Sequence, residues 1–158
     1  LVWVNRYLTE GSAILFYLAD LVPAAGLVPP AGQVARYRLL AWLNFIGSEL
    51  HKNFSPLFAK DTPDDYRAKV VERLTGRLSH VNATLAAQPF LGGDTFTVAD
   101  AYFAPVVMRL KTYAVPVPAD IAAYMHAVCE LPGVQAWVAD ALDEEDFLDF
   151  EEPYRLGR

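Results

Sequence analysis

Apolar positions recur at intervals of three and four along most of the chain, and β-prone patterning is confined to its first nine residues. Leu1–Val4 and Arg6–Thr9 form two short pieces around Asn5, a residue that tolerates a turn, so a hairpin is predicted there. Two such strands are marginal alone and need a covering layer. From Ser12 the period changes: Ala13, Ile14, Tyr17, Leu18 and Leu21 predict a helix that Pro23 ends. Residues 22–32 carry three prolines, two glycines and no charge, which reads as a stiff connection.

A long helix is predicted from Gln33 to about Lys52, with Val34, Tyr37, Leu40, Ala41, Phe45 and Leu50 on its apolar stripe, widened by Trp42, Leu43 and Ile46. A helix that apolar needs cover on more than one side. Residues 53–58 read as an aromatic-lined turn. Asp61-Thr62-Pro63-Asp64-Asp65 then has the form of a helix start, with the Thr62 hydroxyl as cap, Pro63 in the first turn and acids beside the free N–H groups. The helix it opens runs from Pro63 to Ala87, with Val70, Leu74, Leu78, Val81 and Leu85 inward; Pro89 to Gly93 closes it. Thr97-Val98-Ala99-Asp100 spells a capping box, and Phe96 with Ala101 offers a weak hydrophobic staple. The helix it begins passes Pro105, which is placed to bend it. Asp120 is the expected cap of a short helix through Val128, and a last helix is expected over 134–142. Residues 143–152 hold seven carboxylates and read as an extended or partly disordered acidic tail, 143–158. The pattern as a whole predicts an all-α fold, a helical bundle over 33–142 preceded by a hairpin-and-helix piece at 1–20.

Composition narrows the function classes without naming one. The 158 residues are 54% hydrophobic and carry 13 Lys+Arg against 19 Asp+Glu, a net charge of −6. Such an acidic surface repels a phosphate backbone, so nucleic acid is a poor partner. No apolar run reaches the roughly 18 residues of a membrane span. One cysteine, Cys129, makes no intrachain disulfide and suits a reducing, cytoplasmic setting. The chain opens on apolar Leu1 without a basic leader, and the expectation is that it begins inside a fold.

Two segments carry candidate chemistry. Glu10-Gly11-Ser12 lies between strand and helix, where free helical N–H groups attract an anion. Ser12 can add its hydroxyl, Gly11 lets a ligand near the backbone, and Glu10 can pair with an ammonium, so the three suit an α-amino acid moiety. The competing reading is that Glu10 and Ser12 merely cap the helix. His51-Lys52 sits at the end of the long helix, where cations meet the helix's negative end whatever their function; the functional reading has them face an anionic or thiol-bearing ligand. His80 and His126 stand singly in helices and read as packed or surface residues, and Cys129 as a small buried hydrophobe. With no cysteine pair and widely spaced histidines, no metal site is expected.

Several segments together resemble the glutathione transferases, and within them the bacterial beta class. They are Leu8–Ile14 with Tyr17–Asp20, Trp42–Ile46 running into Ser48–Lys52, Phe54–Phe58 and Phe96–Tyr102. The resemblance implies an N-terminal thioredoxin-like domain, ending here at residues 1–20, joined through 21–32 to an all-helical C-terminal domain. It implies a homodimer that conjugates the thiol of glutathione, as cosubstrate, to small hydrophobic electrophiles, without a metal. Glu10 and Gly11 fall where the γ-glutamyl end is held, with Ser12 at the start of the same helix. His51 and Lys52 fall where the cleft nears the sulfur, as auxiliary catalytic residues. Thr97 and Asp100 match the family's folding box. Arg109 stands where relatives often present an aromatic toward the electrophile. The thiol-activating residue and the cis-proline of the thioredoxin-like half do not occur in these residues. The expectation is therefore that either the gene product is longer, or the chain is a non-enzymatic domain for ligand binding or protein interaction, and that glutathione binding by this chain alone is weak.

Overall fold

In a computed structural model of the chain, residues 2–3 and 6–141 are described. Two strands, β1 (Val2–Trp3) and β2 (Arg6–Tyr7), pair antiparallel with Val2 opposite Tyr7 and Trp3 opposite Arg6. The helices that follow are α1 (Gly11–Leu21), α2 (Val34–Phe45), the four-residue α3 (Ser55–Phe58), α4 (Asp64–Leu85), α5 (Val98–Thr112), α6 (Ala119–Cys129) and α7 (Pro132–Ala141). A 3₁₀ turn, Pro23–Ala25, occupies part of the proline-rich connection. The fold is thus helical, as the periodicity predicts, with a hairpin ahead of it. The expected turn at Asn5 and the acidic segment 143–158 lie outside the described residues. Among the described residues, no helix is long and apolar enough to cross a membrane.

The core forms where α2, α4, α5 and α6 meet, and it includes Leu43, Ile46, Leu50, Phe54, Leu74, Leu78, Phe103, Leu110 and Ile121. Phe54 and Phe103 are wholly buried, each stabilising the fold by about 1.5–3 kcal/mol relative to exposure. The stripe predicted on α4 is the buried one, with Leu85 only half-buried. On α2 the expectation is corrected. Leu43 is buried as expected, like Ile46 and Leu50 just beyond the helix, and Leu39 joins them, while Val34, Tyr37 and Leu40 remain 67%, 59% and 41% exposed. This helix has two apolar faces, and spacing alone cannot choose which one the core takes.

The long helix predicted to Lys52 is also revised. Its α-helical part ends at Phe45, continues as a π turn over Ile46–Leu50, then tightens to a 3₁₀ turn over His51–Phe54 and leads into α3. Apolar positions continue across the change, so the pattern hides it.

Two helix starts differ from expectation. Thr62 does not cap α4: its hydroxyl donates to the Pro56 carbonyl at 2.6 Å, and Pro63 stands at the cap position. Asp120 does not cap α6. Asn82 of α4 does so from across the interface, its side-chain oxygen accepting from the Asp120 and Ile121 N–H groups at 3.1 and 3.3 Å. Its amide also donates to the Asp120 carboxylate at 2.7 Å. The capping box of α5 is present as predicted. Asp100 is wholly buried there and accepts from Thr97 N–H and hydroxyl, Leu91 N–H and Tyr124 hydroxyl. Burial pushes its carboxyl above the ordinary range, against the pull of those four hydrogen bonds. Gly92 fits only because it lacks a side chain: a Cβ there would lie 2.7 Å from Thr97 Cγ2 and 3.0 Å from Leu39 Cδ2.

Candidate functional site

The start of α1 is built by an unusual backbone. Glu10 occupies its N-cap position at φ 66°, in the left-handed region, and no side chain caps the helix. The capping reading of Glu10 and Ser12 is therefore not realised. Glu10 and Gly11 are exposed and Ser12 is half-buried. A left-handed conformation in a glutamate costs roughly 1–3 kcal/mol and needs surrounding structure to hold it. The C-terminal end of α1 is tied to α2, where Arg36 grips Asp20 through both guanidinium nitrogens at 2.9 and 2.6 Å. Arg36 also donates to the Pro29 carbonyl at 3.0 Å and lies over the Phe16 ring. That hydrogen-bonded pairing holds the Asp20 carboxyl below its ordinary range. Between α1 and α2 a surface cavity of about 360 Å³ is lined by Ser12, Ala13, Phe16, Arg36, Tyr37 and Leu40.

His51 and Lys52 are both exposed on the 3₁₀ turn after the π turn, so the turn carries them to the surface as a pair. The change of helical type frees carbonyls, and Asn53 takes them up. Its side-chain amide donates to Glu49 O at 2.8 Å and Ser48 O at 3.3 Å, while its oxygen accepts from Arg73 of α4 at 3.2 Å. One turn along α4, Arg77 pairs with Glu49 at 2.9 Å. The His51 turn is thus fastened on both sides by α4.

These two segments approach each other through Tyr102 of α5. A Cβ at Gly11 would stand 3.3 Å from Tyr102 Cε2, and one at Gly47 would stand 3.4 Å from its hydroxyl. The His51 N–H in turn bonds to the Gly47 carbonyl. The structure therefore joins Glu10–Ser12 and His51–Lys52 to the same ring. Neither Tyr102 nor Asn53 is singled out as a site residue by spacing or motif, because Tyr102 faces residues distant in sequence and the Asn53 bonds follow from a change of helical type that the pattern hides.

Farther along, Phe58 meets Tyr113 with ring centroids 5.2 Å apart, and Tyr113 meets Phe54 at 6.0 Å. Arg109 lies over Phe58 at 5.9 Å, and the Phe58 ring stays 45% exposed. His80 is exposed, stacked on Trp42 and edge-on to Phe45, a surface histidine as expected. Cys129 is half-buried against the core rather than wholly enclosed. Among the described residues, no group of three or more His, Cys, Asp or Glu could hold a metal ion.

The comparisons with known proteins agree with this architecture. Residues 64–140 match the family model for the glutathione S-transferase C-terminal domain. The chain is 43% identical over 142 residues to glutathione S-transferase GstA of Escherichia coli O157:H7, covering 87% of this chain and 68% of that protein. Among solved structures, a ternary complex of the bacterial transferase BphK superposes with a TM-score of 0.81 at 38% identity, covering 85% of this chain and 70% of the other. A sphingomonad glutathione S-transferase complexed with glutathione gives 0.77 at 39%, covering 82% and 65%. The chain thus spans about two thirds of the length of these relatives. It belongs to the glutathione S-transferase family.

Proposed function

We propose that the protein conjugates the thiol of glutathione to small hydrophobic electrophiles, and that this chain supplies the Glu10–Ser12 and His51–Lys52 parts of the glutathione site. The observation that carries this reading is the meeting of those two segments at Tyr102, on a chain whose 39%-identical relative is known in complex with glutathione. The residues suit the ligand's two ends. Glu10 offers a carboxylate for the γ-glutamyl ammonium, and the uncapped N–H groups of α1 with Ser12 offer donors for its carboxylate. His51 and Lys52 add positive potential and hydrogen-bond donors at the sulfur end, which favours thiolate over thiol. In the transfer, the sulfur lone pair forms the S–C bond. The bond from that carbon to its leaving group breaks with the electron pair departing, and the thiol proton is lost beforehand to solvent. The exposed Phe58 edge with Tyr113 and Arg109 is the apolar shelf offered to the electrophile.

The same reading divides the chain into the end of a thioredoxin-like domain (1–20), a connection (21–32), a helical domain (33–142) and an acidic tail (143–158). It takes a homodimer as the working unit, in the cytoplasm. Exposed Leu18, Leu21, Val22, Val34, Tyr37 and Leu40 on and around α1 and α2 support association; sedimentation showing a monomer at every concentration contradicts it. Steady-state kinetics with glutathione and an aryl halide test the activity. His51→Ala is expected to lower kcat by more than it raises the KM for glutathione, while Glu10→Gln raises KM. Absence of any thiol transfer by the full gene product, or equal effects from both variants in it, overturns the assignment and favours a non-enzymatic ligand-binding domain.

A further inference from the structure

The geometry points to Tyr102 as a positioning residue, a strut that fixes the spacing between the Glu10–Ser12 corner and the His51 turn. This inference rests on the functional reading above, but its physical basis is separate. The ring projects from α5, which packs against both α1 and the π turn. One ring edge, at Cε2, faces Gly11, and the hydroxyl and Cε1 face Gly47. A methyl at Gly11 would lie 3.3 Å from the ring, closer than a methyl ordinarily sits, and one at Gly47 would lie 3.4 Å from the hydroxyl, in ordinary contact. Two backbones, more than thirty residues apart in the chain, thus face one rigid six-membered ring, each at a glycine. The ring has no internal torsion and moves as one body, so a displacement of its Cε2 edge at Gly11 also moves the Cε1 edge and hydroxyl that face Gly47.

Each contact leads directly to a candidate ligand group. Gly11 follows Glu10, whose left-handed backbone leaves it little freedom to adjust. Gly47 accepts the His51 N–H, so the ring sets the height of the turn that carries His51 and Lys52. Glutathione is a short ligand of nearly fixed length when extended, and a site that grips both ends discriminates by the distance between its grips. Tyr102 sets that distance without touching either reacting group. Its role is the spacing of the two grips, because the ring is only half-buried and adds less to the core than its neighbour Phe103.

The test uses residue-resolved amide NMR on the chain, with circular dichroism as the check on folding. Gly11→Ala places a methyl 3.3 Å from the Tyr102 ring edge, so the ring must give by a few tenths of an ångström. The expected result is that the amide signals of Gly47 and His51 move in G11A, and that this remote shift disappears when G11A is made together with Tyr102→Leu. A shift confined to residues beside position 11, or one that persists in the Y102L background, overturns the strut; a purely structural Tyr102 produces neither the remote shift nor its dependence on the ring. Titration with reduced glutathione is the second readout. Y102L is expected to weaken binding about tenfold, whereas Tyr102→Phe, which keeps the ring, stays within about twofold of the parent. Equal losses in Y102F and Y102L also overturn the strut, because they assign the effect to the hydroxyl. An affinity of the parent chain for glutathione too weak to titrate leaves the strut to the ligand-free G11A measurement, which decides it alone.

Discussion

Glu10 combines an exposed carboxylate with a backbone angle that its side chain disfavours, in a helix with no side-chain cap. That combination stabilises nothing locally, and the packing around α1 must hold the angle in place. Glu10→Gly is therefore expected to raise the denaturant midpoint, by about 1 kcal/mol of stability, because glycine adopts the same angle freely. The same substitution is expected to lower glutathione affinity. A variant less stable than the parent shows that the left-handed angle is not formed. Gly92 behaves in the opposite way. A methyl there meets Thr97 and Leu39 at 3.0 Å or less, so Gly92→Ala should destabilise the chain by about 1–3 kcal/mol in the same melts. Spacing and turn chemistry point to Glu10, Gly11, Ser12, His51 and Lys52 as candidates. The left-handed angle and the contact with Tyr102 are not readable from sequence, because α1, α2 and α5 must pack before either exists.

At the scale of elements, local devices are legible and remote ones are not. Thr97 and Asp100 lie three apart, so their box is visible in the sequence; that Tyr124 and Leu91 also donate to Asp100 is a consequence of folding. Asn82 caps α6 from 38 residues away, and the sequence offers Asp120 as a plausible local substitute. Asn82→Ala leaves two half-buried N–H groups and a carboxylate without this partner. It should cost about 1–3 kcal/mol in denaturant melts, whereas an unchanged midpoint means Asp120 caps the helix after all. Asp100→Asn loses acceptor capacity toward four donors, and should be destabilising by a similar amount. Its pH dependence has a definite sign. Burial raises the folded-state value of Asp100, so the folded protein binds the extra proton. The stability this adds is fully present below the unfolded value of 3.8 and is lost as pH rises through the folded one. The midpoint gap between parent and D100N should therefore be wider at about pH 4 than at about pH 7. A gap that widens with pH shows that the hydrogen bonds outweigh burial. The π turn is the least legible element, since apolar residues continue through it and only Asn53, Arg73 and Arg77 mark where the path changes.

For the whole molecule, one ring lies between the two candidate segments, and α4 holds the second of them. The helical class is visible in the 3.6-residue period, and the family in the order of the short motifs. How those motifs converge is set by packing around α5. The direct test is whether Glu10–Ser12 and His51–Lys52 bind opposite ends of one molecule. In a residue-resolved NMR titration with reduced glutathione, the signals of both segments should move together and fit a single dissociation constant. S-methylglutathione should then differ from glutathione chiefly at His51 and Lys52, and cysteinylglycine, which lacks the γ-glutamyl group, should leave Glu10–Ser12 unmoved. Two unrelated dissociation constants, or shifts at only one of the segments, would show that they do not form one glutathione site.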